Sequence, residues 1–118
     1  MVGTAEVNEM FDMVNAVEKK EGRNEVFVEV IDETLKQIFS DDGTKVIYDF
    51  LEKHSKLKLK DVANKPEVFS ASLERLMVSA ARVIEQRILK NLYSRLGVEF
   101  EEKQGYQFAD YILELKGK

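Results

Sequence analysis

The chain has 118 residues, of which 44% are hydrophobic and 34% charged, and its net charge at pH 7 is −4. This size and composition predict one folded domain over residues 1–118, and the acidic balance argues against general affinity for nucleic acid, whose phosphates are bound by clustered Lys and Arg. Cysteine is absent, which excludes disulfides and thiolate chemistry, and no apolar run approaches the roughly 20 residues that span a bilayer. We therefore expect a cytoplasmic protein with no membrane partner.

Three helices are predicted in the N-terminal half, after a frayed start at residues 1–4. Apolar residues recur at helical spacing up to a basic last turn and a glycine stop at Gly22, and Asn24 can cap the next helix. The turn-forming residues from Ser40 to Gly43 separate the second helix from the third. The predicted spans are 4–22, 24–39 and 44–55, followed by a loop at 56–65.

The longest stretch without glycine or internal proline is 66–96, and we expect the rest of the chain to pack around it as a helical hub. Pro66 suits the first turn of a helix, and Gly97 suits the left-handed position just past its end. The apolar stripe changes direction midway, which predicts a break or kink near Val78 and Ser79. The pattern allows either one kinked helix or two helices end to end.

A last helix is predicted after Gly105, with apolar residues on more than one side. Because an exposed apolar patch favours association, we expect a homodimer or pairing with another signalling protein. The candidate self-association surface consists of Leu89, Tyr93, Tyr106 and Leu113. The predicted architecture is therefore all-α, a single compact bundle of five or six helices around the hub.

The motifs that usually carry chemistry are absent from the sequence. The one histidine, His54, lies at a helix end beside lysines, the glycines stand singly between helices, and the serines lack a nucleophile motif. We expect Glu74, Arg82, Glu85 and Arg87 to form surface ion pairs. No catalytic, cofactor-binding or metal-ligating residue is predicted, and we expect a protein that is not an enzyme. A pocket in which ionisable side chains from several segments converge would count against that expectation.

The segment 53–65 is basic in an otherwise acidic chain, and its simplest interpretation is a solvated loop. One alternative is a nucleic-acid-binding transcriptional regulator in which this segment leads into the helix beginning at Pro66. That helix offers few donors, because its exposed side chains include Glu67 and Ser70 rather than Arg or Lys. A further alternative is a small-ligand sensor with an apolar pocket between helices, since such pockets are lined by the residues that make cores.

The region of about residues 42 to 116 resembles the archaeal Nitrosopumilus-type output domain family. The residues that carry the resemblance are Ile47-Tyr48, Leu51-Glu52, Leu59, Asp61, Pro66 to Phe69, Leu73-Glu74, Ala80 to Glu85, Ile88-Leu89, Leu92-Tyr93, Leu96-Gly97, Gly105-Tyr106, Phe108 and Tyr111-Ile112. The family is found alone or at the end of signalling proteins, with no assigned biochemical activity. The resemblance implies a non-enzymatic interaction or output module of an archaeal signalling or regulatory system.

Overall fold

The computed structural model describes the backbone of residues 3–117 and the side chains of residues 23–117. Within that part the regular secondary structure is helical and no strand occurs, so the all-α class is confirmed. The described residues contain four helical spans and one 3₁₀ turn; the first span joins two helices across a kink, and the predicted count of five or six helices is not confirmed. The elements are α1 (Gly3–Ser55), the 3₁₀ turn (Leu59–Asp61), α2 (Pro66–Leu76), α3 (Ala81–Arg95) and α4 (Phe108–Lys116).

The first helix does not stop at Gly22. Its backbone is helical from Gly3 through Gly22 and Asn24, so the predicted boundary between two helices there is wrong. A single glycine inside a helix costs about 1 kcal/mol relative to alanine, which is too little to end a helix by itself. Of the predicted frayed start at residues 1–4, Gly3 and Thr4 are helical, so that part of the prediction is wrong. Residues 1 and 2 and the apolar side chains of the span 4–22 lie outside the part that the structure describes.

The direction of α1 changes at Ser40, whose backbone is not helical (φ 64°, ψ 179°). In a straight helix, residues 16 positions apart would be separated by roughly 24 Å along the axis. Instead, the hydroxyl of Tyr48 donates to Oδ1 of Asp32 over 2.6 Å. The residues before the bend, 23–39, and those after it, 41–55, therefore fold back on each other, and we call them the first arm and the second arm. The separation predicted at 40–43 is real, but only one residue leaves the helical conformation.

The bend is closely packed around Gly43. A Cβ at this position would lie 2.8 Å from the Cβ of Phe39, closer than packed carbon atoms approach. The hydroxyl of Thr44 also donates to the carbonyl of Ser40 over 2.7 Å. The second arm can therefore begin beside Phe39 only because Gly43 has no side chain.

The predicted hub consists of two helices, α2 and α3, with the break at residues 77–80 where the apolar stripe changes direction. Pro66 occupies the first turn of α2. Gly97 has φ +71° just after α3, and the amide of Val98 donates to the carbonyl of Tyr93 over 2.9 Å. The terminal signals were therefore predicted correctly. A single central helix is not confirmed, because every α-helix contributes to the core.

The core unites both arms of α1 with the three later helices. Thr34 is fully buried, donates to the carbonyl of Val30 and accepts a hydrogen bond from Asn91 of α3. The hydroxyls of Ser55 and Ser72 bond the end of α1 to α2. No helix in the described part combines the length and the apolar character that a membrane crossing requires. The largest fully buried side chains are Phe27, Ile31, Leu35, Ile47, Leu51, Leu57, Phe69, Leu73, Ile88, Leu92, Ile112 and Leu115.

We predict that Ser40→Gly stabilises the protein by about 1 kcal/mol. The backbone of Ser40 lies in a region that is nearly restricted to glycine, where another residue carries roughly 1–3 kcal/mol of strain. The greater freedom of glycine in the unfolded chain offsets roughly 0.4–1 kcal/mol of that gain. The measurement is the midpoint of urea-induced unfolding.

Ser40→Ala is the matched control, because it removes the hydroxyl but keeps the strained backbone. Its midpoint should not rise. Equal midpoints for the two variants would show that the bend is not strained.

Candidate functional site

The four residues predicted as a self-association surface do not form one surface. Leu89 and Tyr93 are buried inside the monomer, with 3% and 4% of their areas exposed, so their assignment to an exposed surface is wrong. Tyr106 and Leu113 are exposed. Self-association itself stays a prediction, but Leu89 and Tyr93 cannot contribute to it while the monomer keeps this packing.

Tyr106 and Leu113 also lie on different sides of α4. The ring of Tyr106 packs against that of Tyr111, with centroids 5.1 Å apart. Leu113 is two residues beyond Tyr111, which places it about 200° further around the helix. The two exposed apolar side chains therefore belong to separate surfaces.

Tyr93 is covered because the connection between α3 and α4, residues 98–107, folds back over it. The Phe100 ring meets those of Tyr93 and Tyr111 at centroid distances of 5.1 and 5.4 Å. The backbone amide of Lys103 donates to the hydroxyl of Tyr111 over 2.8 Å. The α3–α4 connection is thus an ordered, aromatic-anchored segment rather than a free loop.

A cleft of about 530 Å³ lies between this connection and the helices α2, α3 and α4. Its aromatic lining comes from Phe100, Tyr106, Phe108 and Tyr111. The hydrogen-bonding and charged groups that line it are Ser70, Glu74, Arg82, Glu85, Gln86, Glu102, Lys103 and Gln107. Ionisable side chains from three segments therefore converge at one site, which the sequence did not predict and which counts against the expectation of a protein that is not an enzyme.

Glu85 is the least exposed charged residue of the cleft. Only 9% of its area is exposed, and its Oε1 accepts a hydrogen bond from the hydroxyl of Ser70 over 2.7 Å. Burial has the largest effect on the pKa of the Glu85 carboxyl and raises it. The hydrogen bond from Ser70 and the attraction by Arg82 lower this pKa, whereas repulsion by Glu74 raises it. The net shift of the pKa is upward. The site thus holds a carboxylate in an environment that disfavours its charge.

The surface ion pairs predicted for the segment 66–96 are not formed. Among the described residues, no ion pair joins Glu74, Arg82, Glu85 or Arg87 to another side chain. The reason is the packing of α2 against α3, which turns Glu85 toward Ser70 and away from solvent. Helical spacing along one helix could not reveal a partner 15 residues away on another.

The outer side of the cleft is held by two polar contacts. Nε2 of Gln86 donates to Oε1 of Glu102 over 2.9 Å. The ammonium of Lys103 lies 2.7 Å from Oε1 of Glu114 and 5.2 Å from the centroid of the Tyr106 ring. The hydrogen bond to Glu114 raises the pKa of Lys103, so its ammonium stays charged and paired. Arg82 is the other cation that lines the cleft, and three carboxylates, those of Glu74, Glu85 and Glu102, also line it.

The chemistry of this arrangement favours binding over bond breaking. Ser70 and Glu85 have the contact of a nucleophile with a base, but a carboxylate is far too weak a base to remove a serine proton to a useful extent. His54, which could supply a stronger base, is exposed elsewhere, with its ring 4.3 Å from that of Phe50. No cluster of three acidic or histidine side chains that could hold a metal occurs within the described residues.

The basic segment 53–65 lies outside the cleft. Its lysines are exposed, whereas Leu57, Val62 and Ala63 are buried and attach the segment to the core. Lys116 of α4 donates to the carbonyl of Ala63 and to Oδ1 of Asn64 over 3.1 and 3.0 Å. The segment therefore consists of the end of α1 and a connection that contains the 3₁₀ turn, and its basic side is exposed, as the sequence predicted.

The chain matches no family model, and comparisons with curated proteins and with solved structures also give no match. The resemblance to the Nitrosopumilus-type output domain family stays a prediction. Functional arguments therefore rest on the geometry of the chain itself.

We predict that Glu85→Gln makes the protein more stable at neutral pH. Because the folded-state pKa of Glu85 is raised above the unfolded value of about 4.3, stability falls as pH rises through the interval between the two values. Glutamine cannot ionise but keeps an oxygen that accepts the Ser70 hydrogen bond. The gain should be present at about pH 7.5, shrink as the pH falls toward the unfolded value, and be lost at about pH 4.

The measurement is urea-induced unfolding at both pH values. Glu99→Gln is the control, because Glu99 is exposed on the α3–α4 connection; its effect should stay within about 0.5 kcal/mol. A Glu85→Gln variant that is less stable than the parent at neutral pH would contradict the assignment of Glu85 as a destabilised carboxylate.

Proposed function

We propose that the protein is a non-enzymatic helical module of a signalling or regulatory system that binds a ligand in the cleft between α2, α3, α4 and the α3–α4 connection. Such a module acts as a sensor: the ligand is recognised in the cleft, and protein contacts carry the output. The proposal agrees with the role implied by the output-domain resemblance and with the absence of cysteine, which suits a cytoplasmic setting.

The observation that carries the proposal is the cleft with its buried carboxylate. A volume of about 530 Å³ is within the range of small-molecule sites, roughly 300–1,000 Å³. A carboxylate held at 9% exposure lowers the stability of the fold, which favours a functional reason for its presence. Perturbed ionisable groups in a cleft are typical of functional sites. The cleft is aromatic and charged, so the site differs from the purely apolar pocket expected of a sensor.

An output surface is supported by exposed apolar side chains beside the cleft. Val78 and Val83 flank the break between α2 and α3 with 83% and 68% of their areas exposed. Arg82, which lines the cleft, lies between them in the chain. Ligand binding near Arg82 would therefore act on the same turn that presents these valines to a partner.

The ligand-binding proposal is tested by nuclear magnetic resonance titration with separate panels of organic amines, carboxylates and nucleotides. One class should shift the backbone amide signals of the cleft, including Gln86 and Gly105, and leave those of the second arm unchanged. Gln86→Trp should block this response, because the indole fills the mouth of the cleft, whereas Arg87→Trp on the adjacent exposed position should not.

Two outcomes would overturn the proposal. If no class shifts the cleft signals, the cleft is not a ligand site. If a compound is chemically converted and Gln86→Trp abolishes the conversion, the module is an enzyme.

We further propose that self-association, if used for output, involves the exposed side of α4 that carries Leu113. Leu113 has 60% of its area exposed, although leucine is usually buried. Leu113→Glu should then lower the dimer fraction in sedimentation velocity at tens of micromolar, and Val46→Glu, at a comparably exposed valine of the second arm, should not. A wild-type protein that sediments as a monomer at that concentration would rule out the dimer.

A further inference from the structure

The carboxyl of Glu85 is incompletely satisfied by the protein. Oε1 accepts the hydrogen bond from Ser70, whereas Oε2 has no hydrogen-bond or ion-pair partner among the described residues. The side chain is nine-tenths buried, and what remains exposed opens into the cleft that Glu85 lines. Because this oxygen is reached from the cleft and has no partner in the described part of the protein, it is a ready acceptor for a donor brought by a ligand.

The charges around Glu85 favour a cation over an anion. Glu74 and Glu102 add two carboxylates to the lining, and neither forms an ion pair with a described side chain. Lys103 is paired with Glu114, which leaves Arg82 as the one uncompensated cation among the residues that line the cleft. Carboxylates thus outnumber the cations that line the cleft, and a bound anion would have to face three of them.

The aromatic lining determines what the cation is attached to. The ring of Tyr106 already has the ammonium of Lys103 5.2 Å from its centroid, so a ligand would meet this ring with its apolar part rather than with a second charge. Phe100 is half-buried and adds apolar area to the cleft, whereas Phe108 and Leu89 line it with only 3% of their areas exposed. A ligand with a small apolar part and a charged end can therefore place its charge at Glu85 and its apolar part beside Phe100 and Tyr106.

We infer that the cleft binds an organic cation, a primary ammonium or guanidinium group on an apolar body, with Glu85 as its counter-ion and the rings of Phe100 and Tyr106 beside its apolar part. This inference rests on the proposed function and specifies its ligand. The same chemistry is offered by a free amine and by the lysine or arginine side chain of a partner, and the experiment separates these sources.

The test uses the full chain and three matched probes: phenethylamine, phenethyl alcohol and 3-phenylpropionate. The amine should shift the amide signals of the cleft saturably, and the neutral and anionic probes should bind at least about tenfold more weakly, which is about 1.4 kcal/mol. An acetylated peptide with a central lysine and its glutamine analogue form a second arm. Binding by the free amine alone indicates a small ligand, and binding by the lysine peptide indicates a partner side chain; both support the inference.

Glu85→Gln should weaken amine binding by about tenfold or more, about 1.4 kcal/mol, although the variant folds and is the more stable protein. Glu33→Gln is the control, because Glu33 pairs with Arg95 outside this cleft. Equal binding of the amine and the carboxylate, or unchanged amine binding by Glu85→Gln, would overturn the cation assignment.

The failure of this inference is distinguishable from the failure of the proposed function. If carboxylates or nucleotides shift the cleft signals and Gln86→Trp blocks them, the module still binds a ligand but the cation assignment is wrong. If no probe of any class affects the cleft, both are wrong.

Discussion

The reversal of α1 at Ser40 is the constraint on which the rest of the structure depends. Because the two arms fold back on each other, the chain presents a two-helix surface rather than one long rod, and α2 and α3 can pack against both arms. The bend requires three local features together: a backbone at Ser40 with positive φ, a glycine at position 43 and the hydrogen bond between Tyr48 and Asp32. Burial alone would raise the pKa of Asp32, but the hydrogen bonds from Tyr48 and Lys36 outweigh it and lower the pKa, so the carboxylate stays charged.

The cleft depends on a second long-range contact, the packing of the α3–α4 connection on α3 and α4. The Phe100 ring of the connection replaces solvent over Tyr93, and a gap remains where Ser70 and Glu85 meet. The same contact thus both completes the core and forms the site. The capping pair of Gln107 and Asp110 starts α4 immediately after the connection, which fixes where the connection ends.

The features that were predictable from the sequence are those governed by neighbouring residues. Pro66 and Gly97 mark helix ends through backbone preferences that do not depend on distant partners. The apolar stripe of the segment 66–96 changes direction near Val78, and this predicted the break because each helix must keep one apolar side inward. The helix end predicted at Gly22 was wrong because the free-energy penalty of one glycine is small compared with the many hydrogen bonds of a long helix. Local signals alone therefore gave the class and several boundaries.

The candidate site could not be predicted because its parts are brought together by tertiary packing. Leu89 and Tyr93 belong to an apolar flank that the sequence shows correctly, but only the position of the α3–α4 connection decides whether solvent or Phe100 covers it. Glu85 shows no sign in the sequence of its contact with Ser70. A glutamate on a helix is usually solvated, and its burial here follows from the packing of α2 against α3.

A ligand bound at the uncompensated oxygen of Glu85 would change the lifetime of the protein in the cell. A ligand that binds only the folded state stabilises it by about 2.7 kcal/mol when present at a hundred times its dissociation constant. That amount is a large part of the roughly 5–15 kcal/mol that maintains an ordinary domain. Because proteolysis in cells acts on the unfolded fraction, an occupied domain would be degraded more slowly than an empty one. Its abundance would then follow the supply of its ligand without any change in transcription.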